Sequence, residues 1–319
     1  MKKFKRVIRV KDNVGQSDHS SGLKGKVIFG TGKHLVEYIN PFGQKAYRTE
    51  FDKILYEGEN IVPIGGYQFV FDKLFNIGLD QETTLRVGDL NDEAPQMKIG
   101  VNRGDYNSIH YTAECIPGDG VSPIIGGINI SARNFIFGFM IGDGGSREDN
   151  ITPIAPDYKN RNLYHPIPFR MSNDGLAKFG DDGKYFGKYT SSGINGGTPI
   201  SSYYIKKFSN PDPHIVHVWA GSDGNETTVV DDTVFSSTSS MAIESYTEIN
   251  IEIDENDGRG YFTSTGTTAR INEVGLVSGW YNPEKNEYES IRLFTHFTRP
   301  SIVLADGDSV EAIYRLYAR

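Results

Sequence analysis

The sequence predicts a mainly β fold: an antiparallel β-sandwich or barrel-like core with one or two short helices and long loops. Residues 247–254 alternate, with Ile249, Ile251 and Ile253 on one side and Glu248, Asn250, Glu252 and Asp254 on the other. A period of two is the pattern of a strand with one buried and one wet face. Turn clusters recur at short spacing after it: Asp257-Gly258-Arg259-Gly260, Asn282-Pro283-Glu284-Lys285-Asn286 and Asp306-Gly307-Asp308. Such connections suit antiparallel neighbours, because a parallel crossover needs a dozen or more residues. The chain also carries 36 glycines with only 37% hydrophobic residues, a balance that favours many strands and turns over long helices.

From the start of the chain, residues 1–26 read as a basic arm or edge strand. Lys2, Lys3, Lys5, Arg6, Arg9, Lys11, Lys24 and Lys26 stand against Asp12 and Asp18, a balance of +6, which leaves −14 for the rest of a chain whose net charge is −8. Phe4, Val7, Ile8 and Val10 lie among those charges, as in an amphipathic first strand. The expected contact of Lys2, Lys3, Lys5, Arg6, Arg9 and Lys11 is an acidic protein neighbour, with DNA as the alternative. The acidic remainder argues against a nucleic-acid-binding surface overall. Met1–Lys5 has the charge of a signal-peptide start, but no apolar segment follows, so export by that route is not expected. No apolar run approaches the ~20 residues of a membrane helix. Cys115 stands alone and is read as a small buried hydrophobe.

Residues 27–319 are expected to form one intertwined β-rich body. Residues 16–26 read as a loop, and residues 26–30 as a short strand. Gly30-Thr31-Gly32-Lys33-His34 lacks the spacing of a phosphate-binding loop, since Val27 occupies the first glycine position. Asn40-Pro41-Phe42-Gly43 is a turn. Tyr67, Val70, Phe71, Leu74 and Phe75 fall at helical spacing after Gly65-Gly66 and before Gly78, predicting a helix whose apolar stripe packs into the core. Residues 107–115 fit a short helix or a strand. Residues 135–142 predict a buried central strand, ended by Asp143-Gly144-Gly145-Ser146. Long loops are expected at 147–166 and 176–202. Strands follow at 202–208 and 214–219, the latter in a hairpin with 227–231. The last third continues with strands at 269–281, 291–298 and 301–305. Val310, Ala312, Tyr314 and Leu316 then form an inward set expected to share the side of Ile249, Ile251 and Ile253.

The motifs of common catalytic and metal sites are missing from the sequence, and no cofactor is expected. There is no H-E-x-x-H, no G-x-S-x-G and no paired cysteine motif. His214 and His217 lie three apart in a strand, which directs them to opposite faces. Residues 254–258 lack the spacing of a calcium loop and read as a solvated turn. Asp143, Glu148 and Asp149 form a carboxylate group that could serve glycoside hydrolysis but reads better as surface acids in a loop. Trp219 and Trp280 sit in strand patterns, as core residues do.

Three stretches resemble structural proteins of tailed bacteriophages with contractile tails. Residues 56–75, with Gly65-Gly66-Tyr67-Gln68-Phe69-Val70-Phe71, are similar to an early strand and short helix of those proteins. Phe137-Gly138-Phe139-Met140-Ile141-Gly142-Asp143-Gly144-Gly145 is similar to their glycine-flanked central strand. Residues 269–276, 293–297 and 309–317 resemble their C-terminal finish. The resemblance implies a virion component made in the bacterial host cytoplasm. It would be a neck, collar or tail-associated subunit, non-enzymatic, assembling into a ring with copies of itself and other virion proteins. Two other functions fit the same pattern: a capsid or tail decoration protein, and a carbohydrate-binding or hydrolytic β-sandwich of a receptor-binding apparatus.

Overall fold

The computed structural model describes residues 23–75, 99–100, 124–125, 128–129, 134–172, 185–191, 200–208, 214–220, 226–227, 242–254, 257, 268–282, 287–305 and 308–318. The described elements are, in order, β1 (Leu23–Ile39), β2 (Lys45–Asn60), α1 (Ile64–Phe75), β3 (Ile99–Gly100), β4 (Ile124–Ile125), β5 (Ile128–Asn129) and β6 (Asn134–Gly142). They continue with β7 (Pro166–Ile167), β8 (Arg170–Ser172), β9 (Tyr185–Ser191), β10 (Ile200–Lys207), β11 (His214–Ala220) and β12 (Glu226–Thr227). The last are β13 (Ala242–Ile253), β14 (Thr268–Asn282), β15 (Glu287–Leu293), β16 (Phe297–Ala305) and β17 (Val310–Ala318). Among the described residues the fold is mainly β with one short helix, and every register between these strands is antiparallel.

The chain divides into two compact units, where the sequence suggested one body over 27–319. The first takes residues 1–59, 209–253 and 310–319, and the second takes 60–208 and 254–309. Local patterning carries no mark of this division, because each unit is assembled from stretches far apart in the chain.

The first unit holds a six-stranded sheet in the order β12-β11-β13-β17-β1-β2. Ile249, Ile251 and Ile253 stand opposite Tyr314, Ala312 and Val310. On the other flank of β17, Val27 and Phe29 pair with Tyr314 and Ala312. These side chains are all buried on one face, as the alternation in both segments predicts. The opposite face is not wet, however. Glu248 and Asn250 are both fully buried, and only Glu252 and Asp254 of the four keep partial exposure. The sheet curls, so that Tyr38, from the far end of β1, packs with Val216, Val218 and Tyr246. A period of two reports alternation but cannot show that a sheet bends back over its polar side.

β1 is far longer than the five-residue strand expected, and it starts at Leu23, inside the segment read as a loop. Pairing with β17 ends at Gly30, opposite Glu311. Two residues on, Gly32 adopts φ 72°, and a side chain there would meet Asp52. A glycine in this region of φ bends a strand without steric cost. The remainder of the β1–β2 hairpin follows this bend. Its turn is closed by Asn40, whose Oδ1 accepts hydrogen bonds from the N–H groups of Phe42 and Gln44.

The second unit is built on a nine-stranded sheet with the path β3-β15-β14-β6-β10-β8; β16 joins β14, β7 joins β6 and β9 joins β10. β14 is buried from Ile271 to Gly279, as a strand covered on both faces should be. β6 pairs with it along most of its length, and Phe139, Met140 and Ile141 are buried there. β9 and the start of β10 occupy part of 176–202, which was read as exposed loop. Residues 291–298 are not one strand: the break falls at Phe294-Thr295, whose N–H groups both reach the Leu276 carbonyl. Pro300 lies inside β16, at an irregularity in its pairing with β14 between Ile271–Ile302 and Glu273–Thr298. A bulge tolerates the missing N–H of proline.

The helix begins at Ile64, so Gly65 and Gly66 lie in its first turn. A side chain at Gly66 would come within 2.2 Å of the Phe294 carbonyl oxygen. The glycines therefore let the helix press onto the backbone that joins β15 to β16, where Phe69 meets Phe294 edge-on at 5.2 Å. Tyr67, the first residue of the stripe expected in the core, is exposed instead. The side that docks is the side of the glycines and Phe69. Side-chain periodicity cannot report a contact made by residues that have no side chain.

Candidate functional site

The described residues present one surface suited to contact with another molecule and three buried polar centres. The surface is the β1–β2 hairpin, whose adjacent residues Ile54 and Leu55 carry it onto both faces of β2. Leu35, Ile39, Phe42, Tyr47, Ile54 and Leu55 are large apolar side chains left exposed along it, with Phe42 at 65% and Leu35 at 57%. Tyr38 points the other way, into the curl, and Arg48 lies over its ring. Polar residues between the apolar ones are tied to each other: Glu37 is bonded to Lys45 and to the Tyr47 hydroxyl, and these bonds hold its carboxyl below the usual range. The sequence reading missed this surface. Its signal was there, since residues 33–39 carry apolar side chains at both parities, more than one buried face can use.

Beneath the hairpin lies the first buried centre. Glu248 Oε1 accepts a hydrogen bond of 2.7 Å from the Thr49 N–H, and Arg315 donates one of 3.0 Å to the Thr49 carbonyl. Arg315 stands opposite Glu248 across β13 and β17, with 3.4 Å between Nε and Oε2, and it covers the Tyr246 ring. His214 approaches Glu248 at 3.6 Å from the next strand. The outer backbone edge of β2 is thus occupied at Thr49 by side chains of its own sheet. His217 points to the other face, as the spacing predicts, and binds the Ser245 hydroxyl at 2.7 Å.

The second centre is the pair Asn272 and Glu273 on β14. Glu273 is fully buried and accepts hydrogen bonds from the backbone N–H groups of Gly144, Tyr164 and His165 at 2.8, 2.7 and 2.9 Å. His296 Nε2 completes the set at 2.9 Å. Burial pushes the Glu273 carboxyl up, but the hydrogen bond and charge of His296, with the N–H groups of His165 and Tyr164, outweigh it and hold the group below its usual value. Asn272 accepts from the Gly145 N–H at 2.6 Å and donates to the Asp143 carbonyl and the Ser146 hydroxyl. Two adjacent residues thereby hold both ends of the loop over 143–165 against the sheet. A side chain that satisfies three backbone donors is a structural carboxylate first.

The acids named from sequence do not converge. Asp143 pairs with the imidazole of His165. Asp149 accepts from the Thr152 hydroxyl and from the N–H groups of Thr152 and Ile151, which lower its carboxyl to about 2. Glu148 is exposed beside it. The Asp149 contacts lie within one turn, whereas the Asp143–His165 pair joins residues 22 apart. The third centre corrects another reading: the turn at 254–258, expected to be solvated, carries a buried Asp257 that pairs with Lys206. Among the described residues no three His, Cys, Asp or Glu side chains gather as a metal ion would require. Lys2, Lys3, Lys5, Arg6, Arg9, Lys11 and Cys115 lie outside the described residues. Comparison with protein-family profiles, curated protein sequences and solved structures finds no match.

Proposed function

We propose that this chain is a self-assembling structural subunit of a tailed-bacteriophage virion, a neck, collar or tail-associated protein that forms a ring. The observation that supports assembly is the row of exposed apolar side chains on the β1–β2 hairpin, Leu35, Ile39, Phe42, Tyr47, Ile54 and Leu55. Exposed apolar side chains gathered on one element mark a surface for another protein. Partway along its second strand the hairpin is held at Thr49 by Glu248 and Arg315. A ring needs a heterologous contact, in which one patch meets a different patch of the next copy. The virion assignment rests on the resemblance carried by residues 56–75, 137–145 and 269–276. In this reading the chain is not an enzyme and takes no cofactor, and its basic N-terminal segment contacts a protein neighbour.

Light scattering of the purified chain tests the assembly step. The parent should form multimers that a chain carrying both Leu35→Asp and Leu55→Asp does not, while circular dichroism stays unchanged. A parent that remains monomeric at every concentration, or multimers indifferent to both changes, would overturn the reading.

A further inference from the structure

Lys206, near the end of β10, places a cation where little water reaches it. Its side chain is 7% exposed and that of Asp257 is fully buried. The ammonium is in hydrogen-bond contact with Asp257 Oδ2 and lies 2.9 Å from Asp254 Oδ2. The same Asp257 oxygen accepts the Asp254 N–H at 2.8 Å. The turn that makes this possible is closed by the Asp257 N–H on the Asp254 carbonyl, at 2.9 Å.

Those four groups fill the roles of an acyl-transfer centre. Nζ of Lys206 is the nucleophile, Cγ of Asp257 the electrophile, the Asp254 N–H the donor to the developing oxyanion, and the Asp254 carboxylate a base within reach of the amine. We propose that Lys206 and Asp257 join in an intramolecular isopeptide bond, with Asp254 carrying the proton. A proton first passes from the ammonium, by way of the Asp254 carboxylate, to Oδ1 of Asp257, which becomes the departing hydroxyl. The amine lone pair then attacks Cγ, and Oδ2 takes up the carbonyl electrons under the Asp254 N–H. The Asp254 carboxylate removes a proton from nitrogen and returns it to the departing hydroxyl. One C–N bond forms, one C–O bond breaks and one water leaves, with no change of oxidation state.

The site gives the bond a use. The chain leaves the second unit after Phe208 and re-enters it at Asp254. A bond between residues 206 and 257 would close that whole excursion into a covalent loop. The closed loop would hold the departing and returning strands together under pulling force or heat.

Intact-mass spectrometry of the denatured full chain reads the outcome. The parent should weigh less than its sequence by the mass of one water, and proteolysis should release a branched peptide joining residues 206 and 257. Lys206→Arg and Asp257→Ala should each restore the full sequence mass. Asp254→Ala should slow the loss or stop it, and Asp257→Asn should lose ammonia in place of water. Asp257-Gly258 could also dehydrate to a succinimide, which gives a linear peptide and survives Lys206→Arg. Full sequence mass in the folded parent, or loss of water confined to a linear peptide, would overturn the proposal. Both readings come from the parent chain, so they hold even where a variant fails to fold.

Discussion

The carboxylate of Glu273 lies 2.9 Å from His296 Nε2, and neither side chain has any exposed surface. The remaining lone pairs of Glu273 face three N–H groups of the loop that follows β6. Glu273→Gln keeps the shape but turns an amide toward groups that can only donate. Breaking a buried, hydrogen-bonded charge of this kind costs about 3 kcal/mol or more. Chemical denaturation followed by fluorescence should show that loss. Early proteolysis within 147–166 should accompany it, because the loop loses its anchor.

The same group sets an acid limit. Its folded-state value is depressed from 4.5, so its contribution to stability is complete above that value and lost as pH falls through the lower folded one. The midpoint of thermal unfolding should therefore drop as pH is taken from 5 toward 3, about the usual range of carboxylates. In Glu273→Gln the drop should be visibly shallower. Equal slopes in parent and variant would show that other carboxylates govern the acid limb.

Ile251 and Glu252 are neighbours with opposite expected responses. Ile251→Ala empties a site that is 1% exposed, opposite Ala312, and should cost about 2–5 kcal/mol. Glu252 stands directly opposite Glu311, a like charge, so Glu252→Ala should be neutral within about 0.5 kcal/mol. Thermal midpoints of the two variants settle the direction each side chain faces.

Gly66→Ala tests how the helix docks. The added methyl would sit 2.2 Å from the Phe294 carbonyl oxygen, so the helix must retreat. Helix propensity alone would make alanine the better residue by about 1 kcal/mol. The clash should reverse that sign and cost about 1–3 kcal/mol net, as overpacking does. A stabilised variant would mean that the helix has room to shift.

A physical line separates the features legible in the amino-acid sequence from those that were not. Strands whose faces differ in polarity were legible: Ile249, Ile251 and Ile253 were placed on the side of Val310, Ala312, Tyr314 and Leu316, and they pair there. The turn at Asn40-Pro41-Phe42-Gly43 and the buried strand before Asp143 were equally clear. What escaped was everything set by one element folding onto another. Glu248 and Asn250 look like a wet face until the curl of the sheet covers them. Asp257 looks like a surface acid until Lys206, 51 positions earlier, reaches it. Asn272 and Glu273 resemble ordinary polar residues in a strand, and only the returning loop reveals their task. The hairpin surface carried a signal, apolar side chains at both parities over 33–39, but a two-residue period does not say which of them stay outside.

One consequence concerns synthesis on the ribosome. β17 lies between β13 and β1, so Val27 waits for Tyr314 and Ile251 waits for Ala312. While the chain is being made, Phe29 and the three isoleucines have no central partner until residues 310–318 emerge. Pairings so distant in sequence form slowly and leave apolar edges open meanwhile. Translation of the closing strand should therefore time the maturation of the first unit. A nascent chain stalled before Val310 should be a chaperone client, with the strands destined for both flanks of β17 already made and unable to meet.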